Sequence, residues 1–90
     1  MAEMDTTSLQ YYLMTRLPHA ESSLRRDLDE MKWEGSEDYF ADAALRALAH
    51  EEAAKEAVLR HPGNARVAEY ARRIDLLCVL VYNHTGATVH

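Results

Sequence analysis

The sequence predicts an all-α fold: a small bundle of three main helices preceded by a short N-terminal one. Three observations carry this. The 90 residues contain only three glycines and two prolines, placed where breaks between helical stretches are expected. Acidic residues stand four positions before basic ones at Glu21–Arg25, Asp42–Arg46, Glu51–Lys55, Glu56–Arg60 and Glu69–Arg73. That spacing puts the partners side by side on a helix, and a strand would not. Alanine, the best helix former, occupies positions 41, 43, 44, 47, 49, 53, 54 and 57.

The elements follow from local signals. Thr6-Thr7-Ser8 offers hydroxyls to cap a first helix over 8–16. Pro18 fits the first turn of a second helix, 18–33, whose seam is Leu17, Leu24, Leu28 and Met31. Glu34-Gly35-Ser36 breaks the chain, and Ser36 caps a third helix running to His61, with Glu37 and Asp38 suiting its dipole. His61-Pro62-Gly63-Asn64 is a turn, and Asn64 caps a fourth helix, 65–83, that buries Val67, Tyr70, Ala71 and Ile74. The chain reads as one domain, 1–90, with flexible termini at 1–6 and 84–90.

Composition narrows the class. Ten basic and fifteen acidic residues give a net charge of −5, which argues against direct nucleic-acid binding. No apolar run opens the chain or approaches the roughly 20 residues of a membrane span, so a cytoplasmic protein without membrane contact is expected. The single cysteine, Cys78, lies among apolar residues and reads as a buried small hydrophobe.

Candidate chemistry is thin. The residues three before each histidine are Arg16, Ala47, Val58, Val81 and Ala87, so the Glu-x-x-His spacing of helical di-iron bundles is missing. His50-Glu51 is followed by Ala54 where a zincin would have its second histidine. No Gly-x-Ser-x-Gly elbow or phosphate-cradling glycine loop is present. The expectation is a non-enzyme with no metal or cofactor.

The functional lead is the last helix. Ile74 to Tyr82 is apolar on nearly every face: Ile74, Leu77, Cys78 and Val81 share one side, and Leu76, Val79 and Leu80 fall roughly opposite. A small domain needs only one apolar stripe, so the second face suits a protein partner or a second copy of the chain. The expected interface is Leu76, Val79, Leu80 and Tyr82, with Trp33 and Tyr39, which flank Gly35, as possible anchors. A small inhibitor or accessory of phage or toxin-system type would have this character.

Charge supplies an alternative. Asp27 to Asp42 holds seven acids against Lys32, and Arg60 to Arg73 holds four arginines against Glu69. An acidic face could mimic nucleic acid and block a DNA- or RNA-binding protein. A metal-dependent helical enzyme built on His50, Glu51 and His61 is a weaker one.

The stretch Glu56 to Tyr70, with Pro62 after one helix and an alanine-containing helix following, resembles the junction between successive tetratricopeptide repeats. It covers fifteen residues, and no second copy follows at the 34-residue period a solenoid needs.

Overall fold

The computed structural model describes residues 7–33 and 36–85. Of the ends expected to be flexible, 1–6 and 84–90, residues 1–6 and 86–90 lie outside these ranges, as do Glu34 and Gly35 of the expected break; His84 and Thr85 belong to the last helix. Every regular element among the described residues is helical.

The first helical stretch is continuous, and here the structure corrects the sequence reading. A short α-helical turn, α1 (Leu9–Tyr11), runs into a π-helical segment (Tyr12–Arg16) and then α2 (Leu17–Glu30), with no break at Pro18. Ser8 caps the start, its Oγ accepting the Tyr11 amide at 3.0 Å. The reason for continuity is local. Proline lacks an N–H, and its ring crowds the carbonyl four residues back, here that of Met14. The wider π turns lie over that carbonyl, and Leu17 N–H bonds to Tyr12 five residues back. The chain thus accommodates Pro18 by widening the helix rather than ending it.

The other two helices match their signals. α3 (Glu37–Arg60) starts at Ser36, whose Oγ accepts the Tyr39 amide at 3.1 Å. α4 (Ala65–Thr85) starts after Asn64, whose Oδ1 accepts the Val67 amide at 3.0 Å. It runs through Asn83 to Thr85, beyond the expected fraying point. Between them Gly63 adopts φ 82°, the left-handed region that favours glycine.

The helices form two layers. α3 and α4 pack along each other as one layer, and the first helical stretch lies against it, α2 mainly on α4. The Cα atoms extend 43 × 30 × 17 Å. Two helices packed about 8–10 Å apart fill a thickness of that order, leaving no room for a third layer. The side of the α3–α4 layer facing away from α2 is therefore uncovered.

The core is divided unequally. Its largest fully buried side chains are Leu17 and Leu24 on α2, and Val67, Ile74, Cys78 and Val81 on α4. α3 contributes Ala43, Ala47, Ala54 and Ala57, plus His50. Tyr12 is the inward ring of the Tyr11-Tyr12 pair and packs edge-on to Tyr11 and His61. His61 Nε2–H donates to the Thr7 carbonyl at 2.8 Å, tying the α3–α4 turn to the start of the chain.

Polar bonds fix α2 on that layer. Arg46 leaves its expected partner Asp42 and grips Asp27 on α2 with two bonds, Nε at 2.9 Å and Nη2 at 3.1 Å. Arg73 likewise reaches Glu21 on α2 at 2.7 Å, while keeping Glu69 at 3.3 Å. Asp27 is buried, and a buried carboxylate is stable only when paired and hydrogen-bonded. Glu21–Arg25 and Glu56–Arg60 remain exposed pairs within their own helices.

Removing the Asp27 partner is therefore costly. Arg46→Ala should destabilise the protein by about 2–3 kcal/mol, below the range for fully buried pairs because Arg46 is part exposed. Arg25→Ala, at an exposed pair, should cost under about 0.5 kcal/mol. Urea denaturation of both variants measures the contrast, and equal costs would show that Asp27 does not depend on Arg46.

Candidate interaction surface

Exposed large apolar side chains concentrate on one layer. They are Met14, Trp33, Leu45, Leu48, Val58, Leu59, Leu76, Val79 and Leu80, and all but the first two lie on α3 and α4. Single exposed hydrophobes are ordinary, but a concentration on two adjacent helices is not. Leu59 is 80% exposed and Leu45 66%, as open as many charged surface residues.

The cause is the inward alanines of α3. At about 100° per residue, Ala43, Ala47, Ala54 and Ala57 share the buried stripe, and Leu45, Leu48 and Leu59 fall on the far side. The helix turns its small residues in and its large ones out. α4 is apolar on both sides: Ile74, Cys78 and Val81 face the core, while Leu76, Val79 and Leu80 face out.

Between α3 and α4, on the uncovered side, runs an open groove of about 640 Å³. Ala54, Val58, Leu59, Ala68 and Ala71 form its apolar surface, with Glu51, Lys55, Arg72 and Asp75 along it. On α3, Leu48 continues the groove-facing row of Lys55 and Leu59, and on α4 Val79 continues the row of Ala68, Arg72 and Asp75, at helical spacings of three and four.

The six residues singled out in the sequence separate. Leu76, Val79 and Leu80 are exposed on the outer face of α4. Tyr82 is not part of that face. It is buried, and its hydroxyl donates to Glu51 Oε1 on α3 at 3.2 Å. Loss of solvation, with Glu51 nearby, pushes its phenol pKa upward. Two residues beyond Leu80, about 200° round the helix, Tyr82 comes to the α3 side, which apolar counting alone does not distinguish. Tyr39 is half-buried. Its hydroxyl lies 3.0 Å from Glu30 and 3.3 Å from Asp27, and its ring sits under Arg46 at 5.6 Å. Burial, then those carboxylates, push its pKa up to about 12. It serves the α2–α3 junction. Trp33 is 85% exposed, so it does not cover the core, and it stands apart from the α3–α4 groove residues. Sequence reasoning missed Leu45, Leu48, Val58 and Leu59. The available signal was alanine at four of the five buried positions of the opposite stripe.

The charged segments are partly occupied within the fold. Asp27 and Glu30 of the acidic stretch serve Tyr39 and Arg46. In the basic stretch Arg60 pairs with Glu56, Arg72 with Glu69 and Arg73 with Glu21. Histidines and carboxylates do not assemble into a metal-holding group among the described residues. No helix among them is long and apolar enough to cross a membrane. Compared with known protein families, characterised proteins and solved structures, the chain gives no match.

Two buried groups complete the picture. Arg16, positioned by the π-helical segment, donates through Nη1 to His50 Nδ1 at 3.1 Å. The neutral ring then carries its proton on Nε2, which is buried with no partner among the described residues and lies near the His19 ring. Burial, then the Arg16 charge, lowers the His50 pKa to about 4. The Cys78 thiol donates to the Ala47 carbonyl at 3.3 Å, and burial pushes it up to about 12. Such a thiol is neutral and shielded.

Two outcomes follow. His50 is neutral when folded, and the unfolded chain takes a proton near pH 6.5. Its contribution to stability is whole above that pH and is lost as pH falls towards about 4. His50→Gln keeps an acceptor for Arg16 but not the titration. The stability lost between pH 7 and pH 4.5 should shrink by about 2 kcal/mol, read by urea denaturation. Cys78 should resist a thiol reagent in the folded protein and react only when denaturant opens the chain. Prompt labelling of the native protein would show the α3–α4 seam to be open.

Proposed function

We propose that this protein is a non-catalytic association module whose working surface is the outer side of the α3–α4 layer. One observation carries the reading: both helices turn large apolar side chains away from the core, beside an apolar groove. Nothing in folding the single chain rewards that placement. A helix can lie in such a groove with its apolar face down and its polar face outward. The outer face of α4, Leu76, Val79 and Leu80, supplies the apolar shoulder of the surface, and Val58 and Leu59 supply the facing wall.

The occupant can be a larger target, as for a small inhibitor or accessory protein, or a second copy. Either use is one of binding, with no reacting groups required. A cytoplasmic setting fits Cys78, which is buried and reduced.

Site-specific photo-crosslinking tests the reading. A benzophenone side chain in place of Leu59 or Val79 should yield protein adducts in expressing cells, to the same chain or to another protein. The same group in place of Arg26, exposed on α2, should not. Equal yields at all three sites, or none, would remove the α3–α4 face as the working surface.

A further inference from the structure

His50 makes a contact that a proton would undo. A guanidinium can only donate, so the Arg16 Nη1–H bond at 3.1 Å needs Nδ1 of His50 as its acceptor. A protonated imidazole carries N–H on both nitrogens and accepts nothing. Proton uptake therefore removes the bond and sets an imidazolium against a guanidinium in its place.

The surroundings give that charge little to pair with. From the first helical stretch Arg16 and His19 face it, the His19 ring edge-on with centroids 5.9 Å apart. On α3 itself Arg46 stands one turn before it and opposes its charge. Asp27 of α2 favours the charge, but it already takes two bonds from Arg46 and one from Tyr39. The α4 groups that reach this part of α3, Cys78 and Tyr82, are turned to the Ala47 carbonyl and to Glu51. His50 Nε2 is buried with no partner among the described residues.

The first stretch also has a place to bend. Pro18 has no N–H to give the helical ladder, and the π turns just before it are already widened. Beyond Pro18, α2 is fastened by Asp27 to Arg46 and by Glu21 to Arg73. Ahead of Pro18, Arg16 is the polar hold on the middle of α3, through His50 and, at 3.5 Å, the Ala49 carbonyl. His61 holds the far end at the Thr7 carbonyl, and its Nε2–H donates whether the ring is neutral or charged.

We infer that Arg16 and His50 form an acid-operated latch: when His50 takes a proton, the turns about Arg16 part from α3 by bending at Pro18, while α3 and α4 stay paired. Opening brings His50 to water and uncovers the inner side of those turns, where Leu13 is buried. The device lies on the α2 side of the molecule and does not depend on what covers the α3–α4 groove. Its direction follows from linkage. Burial, then Arg16, lowers the His50 pKa to about 4 in the closed form, against 6.5 for a free ring. The closed form is thus favoured in full above pH 6.5, and the drive to open grows as pH falls towards 4. Between pH 7 and pH 4.5 the opening equilibrium should rise on the order of fiftyfold.

Hydrogen exchange read by mass spectrometry tests this on the full, tag-free chain, each rate corrected for the intrinsic effect of pH. Amides of residues 12–19 should lose protection on the order of fiftyfold between pH 7 and pH 4.5. Those in the middle of α3 and α4 should lose much less, and Cys78 should stay shielded from a disulfide reagent active in acid. His50→Gln, which accepts from Arg16 at both pH values, should hold the protection of 12–19 within a few-fold. Should circular dichroism show that variant unfolded, His50→Asn, whose carboxamide oxygen lies near the Nδ1 position, takes its place with the same expectation. A loss shared equally by 12–19, α3 and α4 overturns the latch, because the whole fold then opens together. Unchanged protection of 12–19, or the same loss in the His50 variant, overturns it as well.

Discussion

Much of this fold depends on the alanine face of α3. With Ala43, Ala47, Ala54 and Ala57 turned inward, the longest helix presents almost no side-chain volume to its neighbours. Small residues let helix axes approach towards the close end of the usual 8–10 Å range. The filling of the core then falls to Leu17 and Leu24 from α2 and to Val67, Ile74 and Val81 from α4. A helix that buries mostly methyl groups gains little hydrophobic stabilisation per residue. Polar groups accordingly have an unusual share in holding α3 in place. Arg46 reaches Asp27, His50 receives Arg16, the Ala47 carbonyl accepts the Cys78 thiol, and Glu51 accepts the Tyr82 hydroxyl.

These anchors form one spatial sequence along α3. Arg46 and His50 face the first helical stretch, while Ala47 and Glu51 face α4. The two sets occupy the two flanks of the alanine stripe, so the helix is fixed against rotation as well as against sliding. The π-helical segment belongs to the same scheme, because its register sets Arg16 over His50 and the Ala49 carbonyl. Widened turns of this kind are frequent where a side chain must be re-aimed. Pro18 shares that segment, so the feature that would end an ordinary helix here coincides with the feature that points Arg16 at α3.

The three main helices and both internal caps were legible because they rest on short-range chemistry. Ser36 and Asn64 cap as their positions imply, and the His61-Pro62-Gly63-Asn64 turn needs only its own residues. The continuity at Pro18 was not legible, since π widening leaves no compositional mark. Arg46 and Arg73 chose partners on another helix over those four residues back, a choice that depends on where α2 lies. At the candidate surface, Leu76, Val79 and Leu80 were readable because α4 is apolar all round. Leu45, Leu48, Val58 and Leu59 were not, because the ordinary rule sends leucine inward and alanine wherever it fits. Tyr82 is apolar in character like its neighbours but lies on the α3 side of α4, and apolar character alone does not tell the two sides apart.

The inward alanines and the outward leucines are two sides of one design. A thin core gives a 90-residue chain little stability of its own, and small domains commonly supplement theirs with a metal, a disulfide or another subunit. This chain has one cysteine, already engaged with a backbone carbonyl. What it has in surplus is apolar surface on the layer whose core is thinnest. Covering that surface would add burial where α3 lacks it, and any partner that binds only the folded form raises the apparent stability by mass action. Moving the leucines inward would thicken the core and erase the surface together. On the proposed reading, the arrangement of α3 trades stability of the single chain for a face that a partner can cover.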